Sequence, residues 1–301
     1  TISDYLGKTG VVNGSLIHSH LKNLRYNFNV SANNLLVYDK GKEVDMPFYA
    51  TIYGNGNISI DGGAGKLQAD VSITPTSQSQ LVYILDNPDN FGEVKFVTFR
   101  DKSLLPTRSQ TSDSLPQAQQ VQSAPLDLRL NFLVNMTPSA ELQVVMDERS
   151  GDNIRIYGNG PIRANWYNKG EFNMFGTLNV ERGNYKMSIQ EVIRKNFEFS
   201  PGGRIVFAGN PYNADLDLKA IYTVNSASLS DLNIGSGFNE GPTRADCILK
   251  IKGKTNSPQI SFELDLPNIN EEEKQMVKNL LSTEEDLNMQ VLYLLGIGRF
   301  Y

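Results

Sequence analysis

Leu126-Asp-Leu-Arg-Leu-Asn-Phe132 alternates apolar and polar residues without a break. Successive side chains of a β-strand point to opposite faces, so this stretch predicts a strand with one apolar face and one polar, solvent-exposed face. The same alternation recurs in segments that begin at Leu67, Phe172, Asp215 and Ile260. It favours antiparallel strands, or a sheet with one face open to water, because strands covered on both faces read as continuous apolar runs.

Glycine-rich turns separate these predicted strands, and one turn motif is repeated. Ile52-Tyr-Gly-Asn-Gly56 matches Ile156-Tyr-Gly-Asn-Gly160, an offset of 104 residues (156 − 52). Repeated β units that cannot close their own cores imply stacking along an axis. The sequence therefore predicts a mostly β fold built from repeated units.

The end of the chain changes to a helical pattern. Asn270 is a predicted N-cap before three glutamates, whose charges suit the positive end of a helix dipole. Ser282 or Thr283 is the predicted cap of a second helix, and Gly296 is its predicted stop. We therefore expect two short helices at the C-terminus.

Composition also predicts the domain organisation. Residues 106–125 are rich in Ser, Gln and Pro and poor in large apolar residues, which is typical of a disordered linker or loop. The predicted units are an N-terminal β repeat unit at 1–105, the linker at 106–125, a second β unit at 126–268 and a helical segment at 269–301.

Charge and cysteine content exclude several functional classes. Lys plus Arg is 28 and Asp plus Glu is 33, a formal net charge of −5, which argues against a nucleic-acid partner. The single cysteine excludes an intramolecular disulfide framework and a cysteine-based zinc finger. No apolar run approaches the roughly 18 residues of a membrane-spanning helix.

No group of residues forms a recognisable catalytic or metal site. His18 and His20 could make half a metal site, but no acidic or cysteine partner lies nearby in sequence, so exposed strand histidines are expected. Cys247 alternates with apolar residues and is expected to be a buried structural thiol. Asp215 and Asp217 are expected on a solvated strand face. We therefore predict a protein that is not an enzyme, with no cofactor and no metal.

The apolar strand faces remain as the main functional feature, and two arrangements are open. An ordinary sandwich would close two such faces on each other. Alternatively, a long sheet would curl around an apolar trough that stays accessible.

The order of motifs after the linker resembles the C-terminal domain of the TamB family. The stretches that carry the resemblance are Gly170–Tyr185, Phe197–Pro211, Ala214–Tyr222, Leu249–Gly253 and Ser257–Phe262. They are similar to that family's "G-x-Y" turn, "G-x-I-x-F-x-G-x-P" and "L-D-L-x-A-x-Y" strands, and final "G-x-x-x-x-P-x-I" strand before helices. Segments before the linker look like the preceding repeat unit, so the resemblance covers nearly all of the chain outside the linker.

The resemblance implies an elongated, curled β-sheet, antiparallel or repeat-built, with an apolar groove and two short C-terminal helices. It implies a periplasmic protein whose parent is anchored in the inner membrane by an N-terminal helix absent from this chain. Its expected partners are phospholipid acyl chains and a TamA-like outer-membrane barrel of the BamA superfamily. Its expected role is phospholipid transport between the two membranes and outer-membrane biogenesis.

The groove candidates are the apolar members of the alternating strands. They are Leu126, Leu128, Leu130, Phe132, Phe172, Met174, Leu178, Val180, Leu216, Leu218, Ile260, Phe262 and Leu264. An alternative function is a scaffold for the assembly or secretion of outer-membrane barrel proteins, in which an exposed edge strand pairs with the barrel.

Overall fold

The computed structural model describes residues 1–20, 22–42, 48–84, 126–147, 151–189, 193–232 and 241–301. The predicted linker at 106–125 lies outside these residues. The units predicted on its two sides belong to one continuous sheet, because β5 and β6 pair directly with β7 and β8 across the linker.

Among the described residues, fifteen strands form this sheet, and two helices follow it. The strands are β1 (Ile2–Ser3), β2 (Thr9–Ser19), β3 (Lys22–Lys40), β4 (Phe48–Gly63), β5 (Lys66–Pro75), β6 (Gln80–Ile84), β7 (Asp127–Met136), β8 (Glu141–Asp147), β9 (Asp152–Tyr167), β10 (Asn173–Ile189), β11 (Ile193–Phe199), β12 (Gly203–Gly209), β13 (Asp215–Ser228), β14 (Pro242–Lys254) and β15 (Ser257–Asp265). The helices are α1 (Glu271–Leu280) and α2 (Glu284–Ile297). The predicted mostly β fold with two C-terminal helices is confirmed.

The main order of strands is β1-β2-β3-β4-β5-β7-β9-β10-β11-β13-β14-β15. Three further strands lie beside this path: β6 pairs with β4 and β8, β8 also pairs with β9, and β12 pairs with β10 and β13. The pairs are antiparallel, as expected, except for β5 with β7 and β6 with β8, which are parallel. A parallel pair needs a long connection, and residues 85–125 lie in the chain between these two pairs of strands. The sheet is therefore mixed rather than wholly antiparallel.

A line of interruptions runs across the strands, and we call it the crease. Three positions in the sheet are each filled by two strands lying end to end, interrupted at residues 76–79, 137–140 and 200–202. Elsewhere the ladder is irregular, between Ala32 and Leu35 in β3 and between Val180 and Arg182 in β10. Bulges and breaks bend a strand and increase its twist, so the sheet curls along this line.

The repeated Tyr-Gly-Asn-Gly motif supplies two positions on the crease. Gly56 and Gly160 have φ of 156° and 140°, a region that favours glycine. A Cβ would lie 2.0 Å from the carbonyl oxygen of Ser72 at Gly56, and 2.1 Å from that of Thr177 at Gly160. Glycine is thus required at both positions because the neighbouring backbone passes too close for a side chain.

The main hydrophobic core lies towards the C-terminal end of the sheet. There α2 places Val291, Leu294 and Leu295, all at most 1% exposed, in one cluster with Phe197 and Leu249 of the sheet. The helical segment therefore covers the apolar side of the last strands.

Local signals set the ends of the two helices. Asn270 Oδ1 accepts a hydrogen bond from Glu273 N at 2.8 Å, and Glu273 Oε2 accepts one from Asn270 N at 3.1 Å, so the predicted cap is confirmed. Thr283 caps α2. The predicted stop at Gly296 was wrong: α2 continues to Ile297 and Gly298 adopts the left-handed conformation, because buried Leu294 and Leu295 keep this turn packed on the sheet.

Candidate functional site

Strand register brings the predicted groove residues to one face of the sheet, which we call the apolar face. Residues directly opposite each other in paired strands lie on the same face. Val71 pairs with Phe132, Phe132 with Ala164, and Ala164 with Met174. The row is therefore apolar across four strands.

The same face continues into the second half of the sheet. Leu178 pairs with Ile205, and Ile205 pairs with Leu216. Leu218 pairs with Ile251, which in turn pairs with Ile260. Every predicted groove residue that lies within a strand belongs to this single face.

Exposure divides the predicted groove residues into three groups. Leu128, Leu178, Val180 and Leu218 are buried, and Ile260 is 49% exposed. The others are half-buried: Leu126, Leu130, Phe132, Phe172, Met174, Leu216, Phe262 and Leu264. Leu126 and Phe172 lie just before β7 and β10 rather than inside a strand.

The apolar face is more open towards its N-terminal strands. Leu16 in β2 is 55% exposed, and Tyr26 and Phe28 in β3 are half-buried, with ring centroids 6.0 Å apart. At the other end, Leu178 and Leu218 are 2% and 3% exposed, in the same cluster as the buried residues of α2. The face is thus covered by helices at one end and accessible at the other.

Several members of the apolar face that lie before the linker were not predicted from the sequence. Tyr26, Phe28 and Val30 alternate with asparagines, and Ile58 and Ile60 alternate with polar residues. Phe28 pairs with Ile60 and Val30 with Ile58, so all belong to the apolar face. Alternation was the signal that could have found them.

The opposite face is polar and is linked by hydrogen bonds between strands. Ser31 Oγ donates to Asn57 Oδ1 at 3.0 Å, and Asn131 Nδ2 donates to Asp70 Oδ1 at 2.7 Å. Asp215 lies on this face and binds Lys254 at 2.8 Å. The predicted solvated position of this aspartate is confirmed.

The cysteine and the two histidines predicted from sequence lie in different surroundings. Cys247 is buried as predicted, and burial raises the pKa of its thiol to about 12, so it stays protonated at neutral pH. His18 and His20 are exposed, as predicted. Within the described residues, no group of three or more His, Cys, Asp or Glu is placed to hold a metal ion. What the arrangement offers chemically is an extended apolar surface.

Neither described helix is both long and apolar enough to span a membrane.

The chain was compared with known protein families and with curated proteins. The family model of the TamB C-terminal domain matches residues 1–299. No curated protein matches the chain.

Proposed function

Because this chain belongs to the TamB C-terminal domain family, which acts in outer-membrane assembly and lipid transport in the cell envelope, we propose that its apolar face carries phospholipid acyl chains between membranes. In this role the chain is a passive conduit in the periplasm, and its parent protein is anchored in the inner membrane. A TamA-type protein is the family's partner.

The observation that supports this proposal is the unbroken apolar row from Val71 through Phe132 and Ala164 to Met174, in which all members except buried Ala164 are half-buried. Exposing one methylene group to water costs about 0.8 kcal/mol, and acyl chains that lie on this row avoid that cost along its length. Headgroups stay hydrated at the rim of the sheet. Such a surface needs continuity and width rather than a recognition motif.

The helices suggest where lipid enters. Because α1 and α2 cover the apolar face beside the last strands, acyl chains reach it from the open side at β2 and β3. A charge that tests the conduit should therefore lie in the half-buried part of the face. Leu218→Asp is unsuitable because Leu218 is 3% exposed and a buried charge would unfold the core.

Val71→Asp and Ser72→Asp are a matched pair for this test. Val71 lies on the apolar face and is half-buried, whereas Ser72 is its neighbour on the polar face and is exposed. The full chain and both variants are purified from cells, extracted with organic solvent and analysed by lipid mass spectrometry. A fluorescent-lipid transfer assay between vesicles measures conduction.

We expect stoichiometric phospholipid with the wild type and with Ser72→Asp, and a several-fold loss of both occupancy and transfer with Val71→Asp. Circular dichroism verifies that both variants fold. Absence of lipid from the wild type, or equal occupancy in the two folded variants, would contradict the proposal.

A specific feature of β15 favours a second candidate function, in which this strand pairs with a strand of an outer-membrane barrel. It is paired with β14 in unbroken register from Ser257 to Asp265, and within the described residues its other edge has no partner strand. Edge strands are usually protected by lysines, prolines or bulges, whereas β15 has one proline near its start and no lysine. An edge of this kind suits strand addition.

Photo-crosslinking discriminates between the two candidates. A photoreactive residue replaces Gln259 at the edge, and a control replaces Lys252, its partner in β14, which lies inside the sheet. Crosslinks from position 259 to a barrel strand, absent from position 252, would support strand pairing. Capture of lipid alone at position 259 would contradict it.

A further inference from the structure

A cavity of about 700 Å³ lies on the polar face, at the ends of five neighbouring strands. A cross-strand row contributes Arg25, Gly63, Lys66 and Asp127 from β3, β4, β5 and β7, because each residue pairs with the next. This row does not belong to the apolar face, and the proposed lipid conduit does not use it.

Gly63 separates two cations. It lies directly between Arg25 and Lys66 in the cross-strand row, and the side chain of Arg25 leans over it, since Arg25 Cγ lies 3.1 Å from where a Gly63 Cβ would stand. With strands about 4.8 Å apart, the backbones of the two cationic residues are roughly 10 Å apart. A Cβ at Gly63 would lie 2.6 Å from the carbonyl oxygen of Leu24, so the local backbone also requires glycine there.

The charged groups around Gly63 differ in their partners. Arg129 is 3.8 Å from Asp127 and lies over the ring of Tyr167, 4.7 Å from its centroid. Asp61 accepts a hydrogen bond from the Asn27 amide, which is a neutral group. By contrast, Arg25 and Lys66 are exposed and make no ion pair or hydrogen bond to any other described residue. Two cations without an ion pair to a described residue therefore flank Gly63.

We propose that this cavity binds an organic phosphate, with the phosphate group held between the side chains of Arg25 and Lys66. A phosphate has several charged oxygens and can accept hydrogen bonds from cations on two opposite sides at once. Ile17, which pairs with Arg25 on the same face and is exposed, also lines the cavity and provides apolar contact for the organic part. Gln68 also lines the cavity, and since its amide nitrogen donates to Asp70 Oδ2 at 3.0 Å, its amide oxygen is the atom that can accept from hydroxyl groups.

The phosphate could belong to a soluble ester or to a phospholipid headgroup, and the test separates these sources. The full chain at low salt is titrated calorimetrically with inorganic phosphate and with glycerol 3-phosphate. Binding to vesicles of phosphatidylcholine, with and without phosphatidylglycerol, is measured by co-sedimentation.

The double variant Arg25→Gln/Lys66→Gln removes both cations. Its matched control is Arg204→Gln/Lys252→Gln, which removes two exposed cations that lie beside Asp217 on the same polar face, at 3.9 Å each. Both variants retain the glycine, the apolar residues of the cavity and every residue of the apolar face.

We expect saturable binding of a phosphate probe that weakens with salt, falls at least tenfold in the Arg25/Lys66 variant and is unchanged in the control. Dependence on these cations with glycerol 3-phosphate assigns a soluble ester; dependence seen only with phosphatidylglycerol vesicles assigns a headgroup. If no probe binds saturably, or if the two variants bind alike, the proposal is overturned. Lipid extraction of Val71→Asp reports separately on the apolar face, so failure of one proposal leaves the other distinguishable.

Discussion

Tyr53 and Tyr157 occupy the same position in the two copies of the Ile-Tyr-Gly-Asn-Gly motif, and each ring lies beneath a cation. Lys8 Nζ is 4.3 Å from the centroid of Tyr53, and the Arg182 guanidinium is 3.8 Å from that of Tyr157. Each hydroxyl is also hydrogen-bonded, to Tyr5 at 3.0 Å in the first copy and to Glu141 in the second. The two copies therefore share side-chain contacts as well as sequence, next to the glycines of the crease.

These contacts predict a loss of stability at alkaline pH. The hydrogen bond to Tyr5, followed by burial, raises the pKa of Tyr53 to about 12, whereas an unfolded tyrosine titrates near 10. The protonated form is favoured by folding, so this contribution is fully present below pH ~10 and is lost as the pH rises to ~12. We expect wild type to lose stability relative to Tyr53→Phe across this range, measured by urea unfolding. A pH-independent difference between the two proteins would contradict this assignment.

The close backbone contacts along the crease predict that adding one methyl group to a crease glycine strongly destabilises the fold. At Gly160 a Cβ would meet the Thr177 carbonyl oxygen at 2.1 Å, and φ is 140°. We expect Gly160→Ala to lower the free energy of unfolding by ~3 kcal/mol, through overpacking and backbone strain. Gly41→Ala is the control, since nothing lies within 4 Å of a Cβ there. Equal midpoints in chemical denaturation would show that the crease tolerates a side chain.

Much of the apolar face could be predicted from alternation alone, because a strand's period of two fixes which residues share a face. Leu126–Phe132 shows this, since its apolar members all fall on one side of β7. Alternation does not specify strand direction, so the parallel pairing of β5 with β7 was not foreseen. It also does not specify what covers a face: Leu218 and Ile260 lie in similar patterns, yet one is 3% and the other 49% exposed. The difference arises because Leu218 belongs to the core that includes α2, whereas Ile260 lies in an edge strand.

The capping hydrogen bond of α1 predicts that removing the Asn270 side chain lowers the stability of the fold by a modest amount. Asn270→Ala removes the side-chain acceptor for Glu273 N, whereas the reciprocal bond keeps its donor, which is the backbone N–H of residue 270. We expect a loss of about 1 kcal/mol in the free energy of unfolding. Asn279→Ala is the comparison, because Asn279 is exposed and bonds only to Gln275 among the described residues. Identical unfolding free energies for the two variants would contradict a stabilising role for the cap.

The two sides of α2 predict losses of stability of very different size for two leucines that lie two residues apart. Leu294 is 1% exposed and belongs to the main core, whereas Leu292 is 37% exposed on the outer side of the helix. Leu294→Ala leaves a cavity beneath the helix, so we expect a loss of ~3 kcal/mol in the free energy of unfolding, and under 1 kcal/mol for Leu292→Ala. Hydrogen exchange should show faster opening of α2 in Leu294→Ala, since its contact with the sheet is weakened. If both variants unfold at the same denaturant concentration, the helix does not form a cooperative unit with the sheet, and the closed end of the apolar face would be open in solution.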